Sequence, residues 1–381
     1  MCIAMKATLW YNTQFKTMHS RTDTRSFKIG ALPIGGGAPV SVQSMANVSP
    51  HDADALVRQI ESCAALGCDI MRLTIPDIDA AKTLGEVKRR ASIPLVADIH
   101  FDHRCALAAI EAGVDALRLN PGNIGGRDRV QAVARAAKER KVPIRIGVNL
   151  GSVEKDLSPD FSKGPEYLRK AIPEALVASA MRHVKLLEDE GFHDIVISVK
   201  ASNVADTLSS YRLLSERTDC PLHLGVTEAG TFVPGTVRSS VALGILLSEG
   251  IGDTVRVSLT DAPEREVRVG IEILRSLGMK APGPSITSCP TCGRTKADVF
   301  KVAAQVEEEL EKLYLKSGRP ADFPHVAVMG CVVNGPGEAK GAEVALCGGD
   351  GEFLLYVKGK LVSRVAEGDA AAEVMRHVVH T

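Results

Sequence analysis

Residues 69–120 read DIMRLTIPDIDAAKTLGEVKRRASIPLVADIHFDHRCALAAIEAGVDALRLN. Short apolar runs that begin at Asp69, Pro94 and Asp115 alternate with longer stretches in which apolar residues recur every three or four positions. This alternation of strand-sized and helix-sized patterns is typical of β-α units whose strands are parallel. The segment therefore predicts an α/β fold.

The same pattern continues in both directions along the chain. Further strands are predicted to begin near Val40, Pro143, Asp194, Pro221 and Asp253. A helical pattern follows each of them, and the last helix covers about 266–277. Eight successive units is the number that closes a (β/α)8 barrel, whereas an open doubly wound sheet usually has fewer strands. We therefore predict a TIM-type barrel over residues 27–280.

One connection is longer than the others. The fifth and sixth strands are predicted to begin at Pro143 and Asp194, 51 residues apart. Long connections in compact domains are usually functional. We expect residues 151–174 to form a lid or a loop of the site.

The two ends of the chain differ from the barrel region. After the linker APGP (281–284), a helix is predicted over 297–316, with short strands around Val326, Val344 and 354–365, and a last helix over 370–379. This order predicts a small α+β domain over 281–381. Residues 1–26 lack periodicity. They weakly resemble a transit peptide, but we favour a loose N-terminal extension.

Composition limits the class of protein. The 46 Lys and Arg residues balance 46 Asp and Glu residues, which argues against a nucleic-acid or anionic membrane partner. No apolar run reaches the roughly 20 residues that span a bilayer, and the first residues show no apolar segment with a small-residue cleavage site, so we expect a cytoplasmic protein. Nine cysteines in such a chain indicate metal ligands or buried thiols. Six are interpreted as buried thiols: Cys2, Cys63, Cys68, Cys105, Cys220 and Cys347.

The other three cysteines form a candidate metal centre. The run SCPTCGRT (288–295) contains Cys289 and Cys292, and MGCVVNGPGEA (329–339) contains Cys331. Two cysteines three positions apart can bind one metal centre, although a redox dithiol has the same spacing. A third cysteine in a glycine-rich loop favours the metal centre.

Two kinds of metal centre remain open. Zinc would need a fourth strong ligand, and His325 and Cys347 are the nearest candidates. A 4Fe-4S cluster tolerates an incomplete cysteine set when one iron takes part in chemistry, and Glu338 is then a candidate ligand to that iron. Cys347 competes with Glu338 for this position.

Cations recur at or near the carboxyl ends of the predicted strands. A charge in a barrel strand costs several kcal/mol unless it is paired, so the recurrence needs a cause. Ion pairing with Asp98 or Glu228 would explain one or two of them. An anionic ligand at the carboxyl end of the barrel would explain all of them, since sites of this fold lie there. These cations are Arg72, Arg118, Arg145, Lys200 and Arg256.

Polar side chains also occur at or near the carboxyl ends of the predicted strands. In addition, Asp98 and His100 are candidates for proton transfer. The cations and polar groups together fit a diphosphate or bisphosphate substrate, because arginine binds phosphate oxygens in a bidentate manner. The polar residues are Asn120, Asn149, Thr227, Glu228 and Ser258.

Six segments resemble one family closely. They are RIGVNLGSVEKDL (145–157), VKASN (199–203), LHLGVTEAG (222–230), LLSEGIGDTVRVSLT (246–260), SCPTCGRT and MGCVVNGPGEA. The family is 4-hydroxy-3-methylbut-2-enyl diphosphate synthase of the non-mevalonate isoprenoid pathway. The resemblance extends in order from about residue 26 to the last predicted strand.

The resemblance implies a substrate, a cofactor and their residues. The family is an iron-sulfur oxidoreductase that reduces 2-C-methyl-D-erythritol 2,4-cyclodiphosphate, opening its ring and removing a hydroxyl group. Matching positions make Cys289, Cys292, Cys331 and Glu338 the ligands of a 4Fe-4S cluster, and we hypothesise that substrate displaces Glu338. Glu228 or a neighbour would handle protons. The diphosphate would be held by Arg72, Arg118, Arg145, Lys200, Arg256 and Ser258, with Asn149, Thr227 and Glu228 nearby.

The resemblance also implies partners. Family members form head-to-tail homodimers in which the cluster domain of one subunit covers the barrel of the other. The long insertion of plant and parasite relatives is absent here, so the chain resembles the shorter bacterial type. That type takes electrons from flavodoxin or ferredoxin.

Two other functions remain as alternatives. One is a pterin- or corrinoid-dependent transferase on a similar barrel, with a structural cysteine domain. The other is a zinc-stabilised, phosphate-binding interaction protein. A radical-SAM enzyme is disfavoured because the CxxxCxxC pattern is missing.

Overall fold

The computed structural model describes residues 20–281, 283–318, 322–333 and 335–379, without the side chain of Glu338. These residues form two compact units, one ending at Lys280 and the other beginning at Ala281. Residues 1–19 of the expected extension, with Cys2, lie outside the described part, as does Pro282 of the expected linker.

The segment 20–26 is bound to the first unit, contrary to the expected loose extension. Arg25 forms ion pairs of 2.8 Å with both Glu188 and Asp219. The Thr24 hydroxyl lies 3.1 Å from Asp253 Oδ1, and the Arg21 amide donates to Gly250 O. Specific charged partners, which a composition argument does not reveal, therefore hold this segment in place.

A hairpin precedes the barrel. Strands β1 (Phe27–Ile29) and β2 (Leu32–Ile34) pair antiparallel around Gly30, whose φ of 59° favours glycine. Ile29 and Ile34 pack with residues at or near the starts of barrel strands, including Ile70 and Val96. The hairpin, which the sequence analysis missed, therefore covers the amino-terminal end of the barrel.

The eight predicted parallel strands are present, and each begins within two residues of its predicted start. They are β3 (Ser41–Met45), β4 (Ile70–Thr74), β5 (Leu95–Asp98), β6 (Ala116–Arg118), β7 (Ile144–Asn149), β8 (Ile195–Lys200), β9 (His223–Leu224) and β10 (Thr254–Val255). Their order is β8-β7-β6-β5-β4-β3-β10-β9. A parallel bridge between Ile197 and Leu222 joins the two ends of this sheet, so the barrel closes as predicted.

A helix follows each barrel strand. The helices are α1 (Ala53–Ala65), α2 (Ile78–Arg90), α3 (His103–Glu111), α4 (Arg127–Arg140), α5 (Pro165–Glu188), α6 (Val204–Ser215), α7 (Phe232–Ser248) and α8 (Pro263–Ser276). Their buried faces and the strands share one apolar core.

The expected lid over 151–174 is only partly a loop. Short 3-10 turns cover 150–152 and 161–163, but α5 already begins at Pro165. Proline at the first helical position fits because its missing N–H would have no helical partner. Ile172 and Leu176 are buried, so this end of α5 belongs to the barrel wall.

The second unit is a five-stranded sheet covered by helices, and it fits the predicted α+β class. Its elements are β11 (Ser285–Ser288), α9 (Val299–Lys316), β12 (His325–Met329), α10 (Gly335–Glu338), β13 (Val344–Gly348), β14 (Glu352–Val357), β15 (Lys360–Ala366) and α11 (Ala370–Val379). The sheet order is β11 to β15, with β11, β12 and β13 parallel and β14 and β15 antiparallel. Its core includes Val302, Val306 and Leu310 of α9.

Two strand predictions in this unit were wrong. β11 was missed, because its sequence, SITS, has only one strongly apolar residue. The single strand expected over 354–365 is a hairpin, since Lys358 and Gly359 both have positive φ and form its turn.

Candidate active site

A polar cavity of about 240 Å³ lies at the carboxyl ends of the barrel strands. Seven of the predicted site residues line it, because their strands end at the same rim. These seven are Arg72, Arg118, Asn149, Lys200, Thr227, Arg256 and Ser258. The remaining lining residues are Met45, Asp98, His100, Gly147, Val148 and Ser198.

Asp98 is shared by two of the arginines. Its Oδ1 lies 3.1 Å from Arg118 Nη1, and its Oδ2 lies 3.6 Å from Arg72 Nε. Burial alone would raise the pKa of Asp98, but the positive charges of Arg72 and Arg118 outweigh burial and lower it. Burial lowers the pKa of Arg72 to about 10, so its guanidinium remains charged near neutral pH. The ionised Asp98 therefore neutralises only part of the charge around it.

Glu266 holds a third arginine. This buried residue of α8 accepts from Arg256 at 3.2 Å, from the Ser44 hydroxyl at 2.8 Å and from the Leu259 amide at 2.9 Å. One carboxylate thereby fixes both the direction of the Arg256 side chain and the loop after β10. Glu266 was not among the residues predicted from the sequence.

We expect Glu266→Gln to lower the free energy of unfolding by about 2 kcal/mol, because a neutral amide leaves Arg256 partly uncompensated in a buried site. Urea unfolding followed by circular dichroism measures the change. Glu272→Gln, an exposed change on the same helix, is the control and should shift the free energy by less than about 0.5 kcal/mol. Equal effects of the two substitutions would contradict this role.

Lys200 lies against a buried histidine. Its Nζ is 3.3 Å from His223 Nε2. Burial, followed by the positive charges of Arg145 and Arg256, lowers the pKa of Lys200 well below its ordinary value. An anion in the cavity would offset this cost.

Two glycines allow the cations to approach the strands. A Cβ atom at Gly147 would lie 2.5 Å from Arg118 Nε, and one at Gly225 would lie 2.9 Å from Lys200 Nζ. Both distances are far below van der Waals contact. A side chain at either position would therefore displace a cation from the cavity.

Three predicted residues do not line the cavity. Arg145 is buried next to an interior void of about 10 Å³, and its guanidinium nitrogens have no hydrogen-bond partner among the described residues. Asn120 is buried, and its Oδ1 accepts from the amide of Gly147, which lines the cavity, at 2.9 Å. It therefore fixes the backbone of the cavity wall and does not itself line the cavity. Glu228 is exposed and has a φ of 52°.

The cavity has an excess of positive charge. Arg72, Arg118, Lys200 and Arg256 face two carboxylates, Asp98 and Glu266. Buried like charges repel strongly where the effective dielectric constant is low. The arrangement fits an anionic ligand with several oxygen atoms.

In the second unit, Cys289 and Cys331 follow two neighbouring parallel strands. Cys289 comes directly after β11, and its amide donates to Val328 O at 3.2 Å. Cys331 is two residues beyond the end of β12. The Gly330 amide donates to Cys289 Sγ at 3.1 Å. Both sulfurs therefore belong to one end of the sheet.

Cys292 completes the predicted cysteine set. It is exposed, and its pKa is lowered chiefly by hydrogen bonds from the backbone and side chain of Arg294. The Cys292 amide also donates to Thr295 Oγ1 at 3.0 Å. Its sulfur is thus suited to the thiolate form that metals bind.

Cys347 has a different environment. It lies inside β13, opposite Met329 of β12, and is fully buried. Burial raises the pKa of Cys347 to about 11, and the nearby Cys331 adds to the effect. Its thiol therefore stays protonated near neutral pH. The described Cys63, Cys68, Cys105 and Cys220 are buried too, as expected.

A single metal ion and a four-iron cluster place different demands on these donors. As placed, the described residues contain no group of three or more His, Cys, Asp or Glu side chains that would hold a metal ion. A four-iron cluster has a different requirement, because its thiolates bind separate irons and do not converge on one point. Three free cysteines, two at one sheet end and one with a lowered pKa, fit that chemistry. The side chain of Glu338, the predicted fourth ligand, is outside the described part.

The barrel with its cationic cavity defines a TIM-barrel enzyme for an anionic substrate. The sequence matches the model of the GcpE TIM-barrel domain over residues 24–271 and that of the GcpE protein C-terminal domain over residues 285–380. The chain therefore belongs to the GcpE family, and the resemblance seen in the sequence is confirmed. No described helix is long and apolar enough to cross a membrane.

Several curated relatives match over nearly their whole length, and each is named 4-hydroxy-3-methylbut-2-en-1-yl diphosphate synthase (flavodoxin). The protein of Clostridium acetobutylicum is 51% identical, over 94% of this chain and 99% of its own. That of Geobacter sulfurreducens is 51% identical, over 94% and 98%. That of Clostridium perfringens is 49% identical, also over 94% and 98%.

Proposed function

We propose that the chain reduces 2-C-methyl-D-erythritol 2,4-cyclodiphosphate to 4-hydroxy-3-methylbut-2-enyl diphosphate, with opening of the ring and loss of a hydroxyl group. The observation that carries the proposal is the cationic cavity at the barrel rim. Membership of the GcpE family and the names of the curated relatives favour this function over the transferase and over the zinc-stabilised interaction protein.

The diphosphate is held by the cations of the cavity. Arg72 and Arg118 supply planar guanidinium groups on either side of Asp98, and Arg256 supplies another that Glu266 orients. Lys200 adds a single charge at the floor. Ser258, Asn149 and Thr227 contribute neutral polar groups along the same wall. Arg145 raises the positive potential from beneath, and Asn120 fixes the Gly147 backbone that Arg118 contacts.

Cys289, Cys292, Cys331 and Glu338 would hold a 4Fe-4S cluster. Such a cluster supplies electrons one at a time and leaves the iron beside a carboxylate accessible to ligands. The buried thiol of Cys347 is the poorer fourth ligand, because forming its thiolate would place a charge among apolar side chains. Glu338 therefore remains the proposed fourth ligand.

Glu228 is the proposed group for proton transfer. It follows Thr227, which lines the cavity, and it is exposed to solvent. A carboxylate at this position can exchange protons with water between turnovers. Its positive φ costs free energy, and residues in such conformations are concentrated at functional sites.

Electrons would come from flavodoxin or ferredoxin, and the word flavodoxin in the relatives' names supports the first. We place the protein in the cytoplasm, where such donors are found.

A homodimer is the proposed assembly, in which the cluster domain of one subunit serves the barrel of the other. Helix α7 offers an apolar contact surface, since Val233, Val237, Val241 and Ile245 are all exposed. The spacing of four residues places them on one side of the helix. Exposed apolar stripes of this kind usually mark protein interfaces.

We expect Val237→Asp to convert the dimer to monomers, because a carboxylate in the centre of the stripe would be desolvated on association. Sedimentation velocity measures the change. Val362→Asp, at a similarly exposed valine of β15, is the control and should remain dimeric. A dimeric Val237→Asp protein would contradict the assignment of this surface.

Anaerobic purification followed by iron, sulfide and zinc analysis tests the proposed function. The expected result is about four irons and about four sulfides per chain, with visible absorption that reductant bleaches. One zinc per chain without iron would overturn the redox function and favour the interaction protein.

A further inference from the structure

The Lys200 amine has one hydrogen-bond partner among the described residues, and that partner is His223. Lys200 is the last residue of β8, and His223 begins the neighbouring strand β9. The contact joins Nζ and the ring nitrogen Nε2 at 3.3 Å. Because Lys200 lines the cavity and His223 is fully buried, the ring lies beneath the amine.

The rest of the His223 residue is fixed by two further contacts. Its Nδ1 lies 2.7 Å from Thr254 Oγ1, and its carbonyl accepts from the Tyr211 hydroxyl at 2.6 Å. A threonine hydroxyl can accept a hydrogen bond from Nδ1–H. The ring can then present the lone pair of Nε2 to Lys200, which is the arrangement that an ammonium group needs.

The charges facing the ring favour its neutral form. Arg145, Lys200, Arg72 and Arg256 surround it from other strands, and the carboxylates Asp98 and Glu266 are already paired with arginines. Burial, followed by these positive charges, lowers the pKa of His223 well below its ordinary value. A neutral imidazole accepts at one nitrogen and donates at the other.

We propose that His223 is a positioning residue for Lys200, with a neutral ring whose Nε2 accepts from the Lys200 amine and stabilises its charged form at the floor of the cavity. The proposal rests on the proposed function, in which this charge binds the diphosphate. His223 itself does not reach the substrate.

A specific pH dependence follows. An anion is bound by the protonated amine, so affinity falls as pH rises through the pKa of Lys200. Burial already lowers that pKa, and loss of the acceptor at Nε2 would lower it further. Without His223 the fall in affinity therefore begins at a lower pH. A merely structural role would weaken binding equally at every pH.

Calorimetric titration with inorganic pyrophosphate tests the proposal in wild type, His223→Leu and His223→Gln. Glutamine retains a hydrogen-bonding group near the position of Nε2, whereas leucine removes it. Across the pH range in which the protein stays folded, we expect the loss of affinity in His223→Leu to grow as pH rises, from less than about threefold at the lower end to about tenfold at the upper end. His223→Gln should stay within about twofold of wild type at both ends. Each variant is compared with wild type at the same pH. The protonation of pyrophosphate therefore affects both affinities equally and cancels in their ratio.

Two results would overturn the proposal alone: a wild-type pH profile in His223→Leu, or a loss of affinity that is equal at every pH. Both leave the proposed function intact, because wild type still binds pyrophosphate. Absence of pyrophosphate binding by wild type would overturn both. Thermal unfolding of each variant distinguishes a folded protein with altered binding from one that has lost its structure. If His223→Leu does not fold, the pH profile of a folded His223→Gln protein still decides the test.

Discussion

Cys331→Ala is expected to abolish the cluster and to lower turnover of the cyclodiphosphate by more than about 100-fold. The residue follows β12 at the sheet end where Cys289 follows β11. Cys347 is buried within β13 and points into apolar surroundings. Iron content and visible absorption under anaerobic conditions measure cluster loss directly, before any assay of turnover.

Cys347→Ala is the matched control, since it removes the same atom one strand away. We expect normal iron content and a loss of stability of about 1 kcal/mol, because only a small buried sulfur is removed. Loss of the cluster in Cys347→Ala would show that this thiol, and not Glu338, is the fourth ligand. An intact cluster in Cys331→Ala would refute the proposed ligand set.

Arg72→Met is expected to raise the KM for the cyclodiphosphate by about 30-fold to 100-fold, with a smaller effect on kcat. A charge-assisted hydrogen bond contributes roughly 1.5–3 kcal/mol, and Arg72 also stabilises the ionised form of Asp98. Steady-state kinetics over a range of substrate concentrations separates KM from kcat.

Arg89→Met provides the comparison. Arg89 lies near the end of α2 and is exposed, so its replacement removes the same charge from a position outside the cavity. Its KM should remain within about twofold of wild type. A wild-type KM in Arg72→Met would show that the diphosphate binds elsewhere.

The barrel could be predicted because its strands are marked in the sequence. Proline or aspartate stands directly before six of the eight strands, as at Pro94 and Asp115, and five of these six begin with an apolar residue. The hairpin over 27–34 could not be predicted in this way, because its two strands have only three residues each and show no clear strand pattern. Its place depends on packing against Ile70 and Val96, which are distant in sequence.

Some of the predicted cavity residues stand at the ends of their strands. Arg118 and Lys200 are the last residues of β6 and β8, and both line the cavity. Arg145 is the second residue of the six in β7, so its side chain begins one layer deeper. Glu228 lies beyond the end of β9 and is exposed. Distance along the strand, which the sequence analysis did not use, separates these cases.

The supporting residues were missed for a different reason. Glu266 reaches Arg256 from the following helix, and His223 reaches Lys200 across a strand boundary. Neither contact follows a periodic pattern. The Lys200–His223 contact depends on closure of the barrel, which brings β8 and β9 together, whereas the Arg256–Glu266 contact lies within one β-α unit.

The most direct test of the account is conversion of the cyclodiphosphate by the anaerobically prepared protein with reduced flavodoxin. We predict formation of 4-hydroxy-3-methylbut-2-enyl diphosphate, identified by mass spectrometry, with two electrons consumed for each molecule formed. Recovery of unchanged cyclodiphosphate from a preparation that contains its full iron and sulfide would contradict the account.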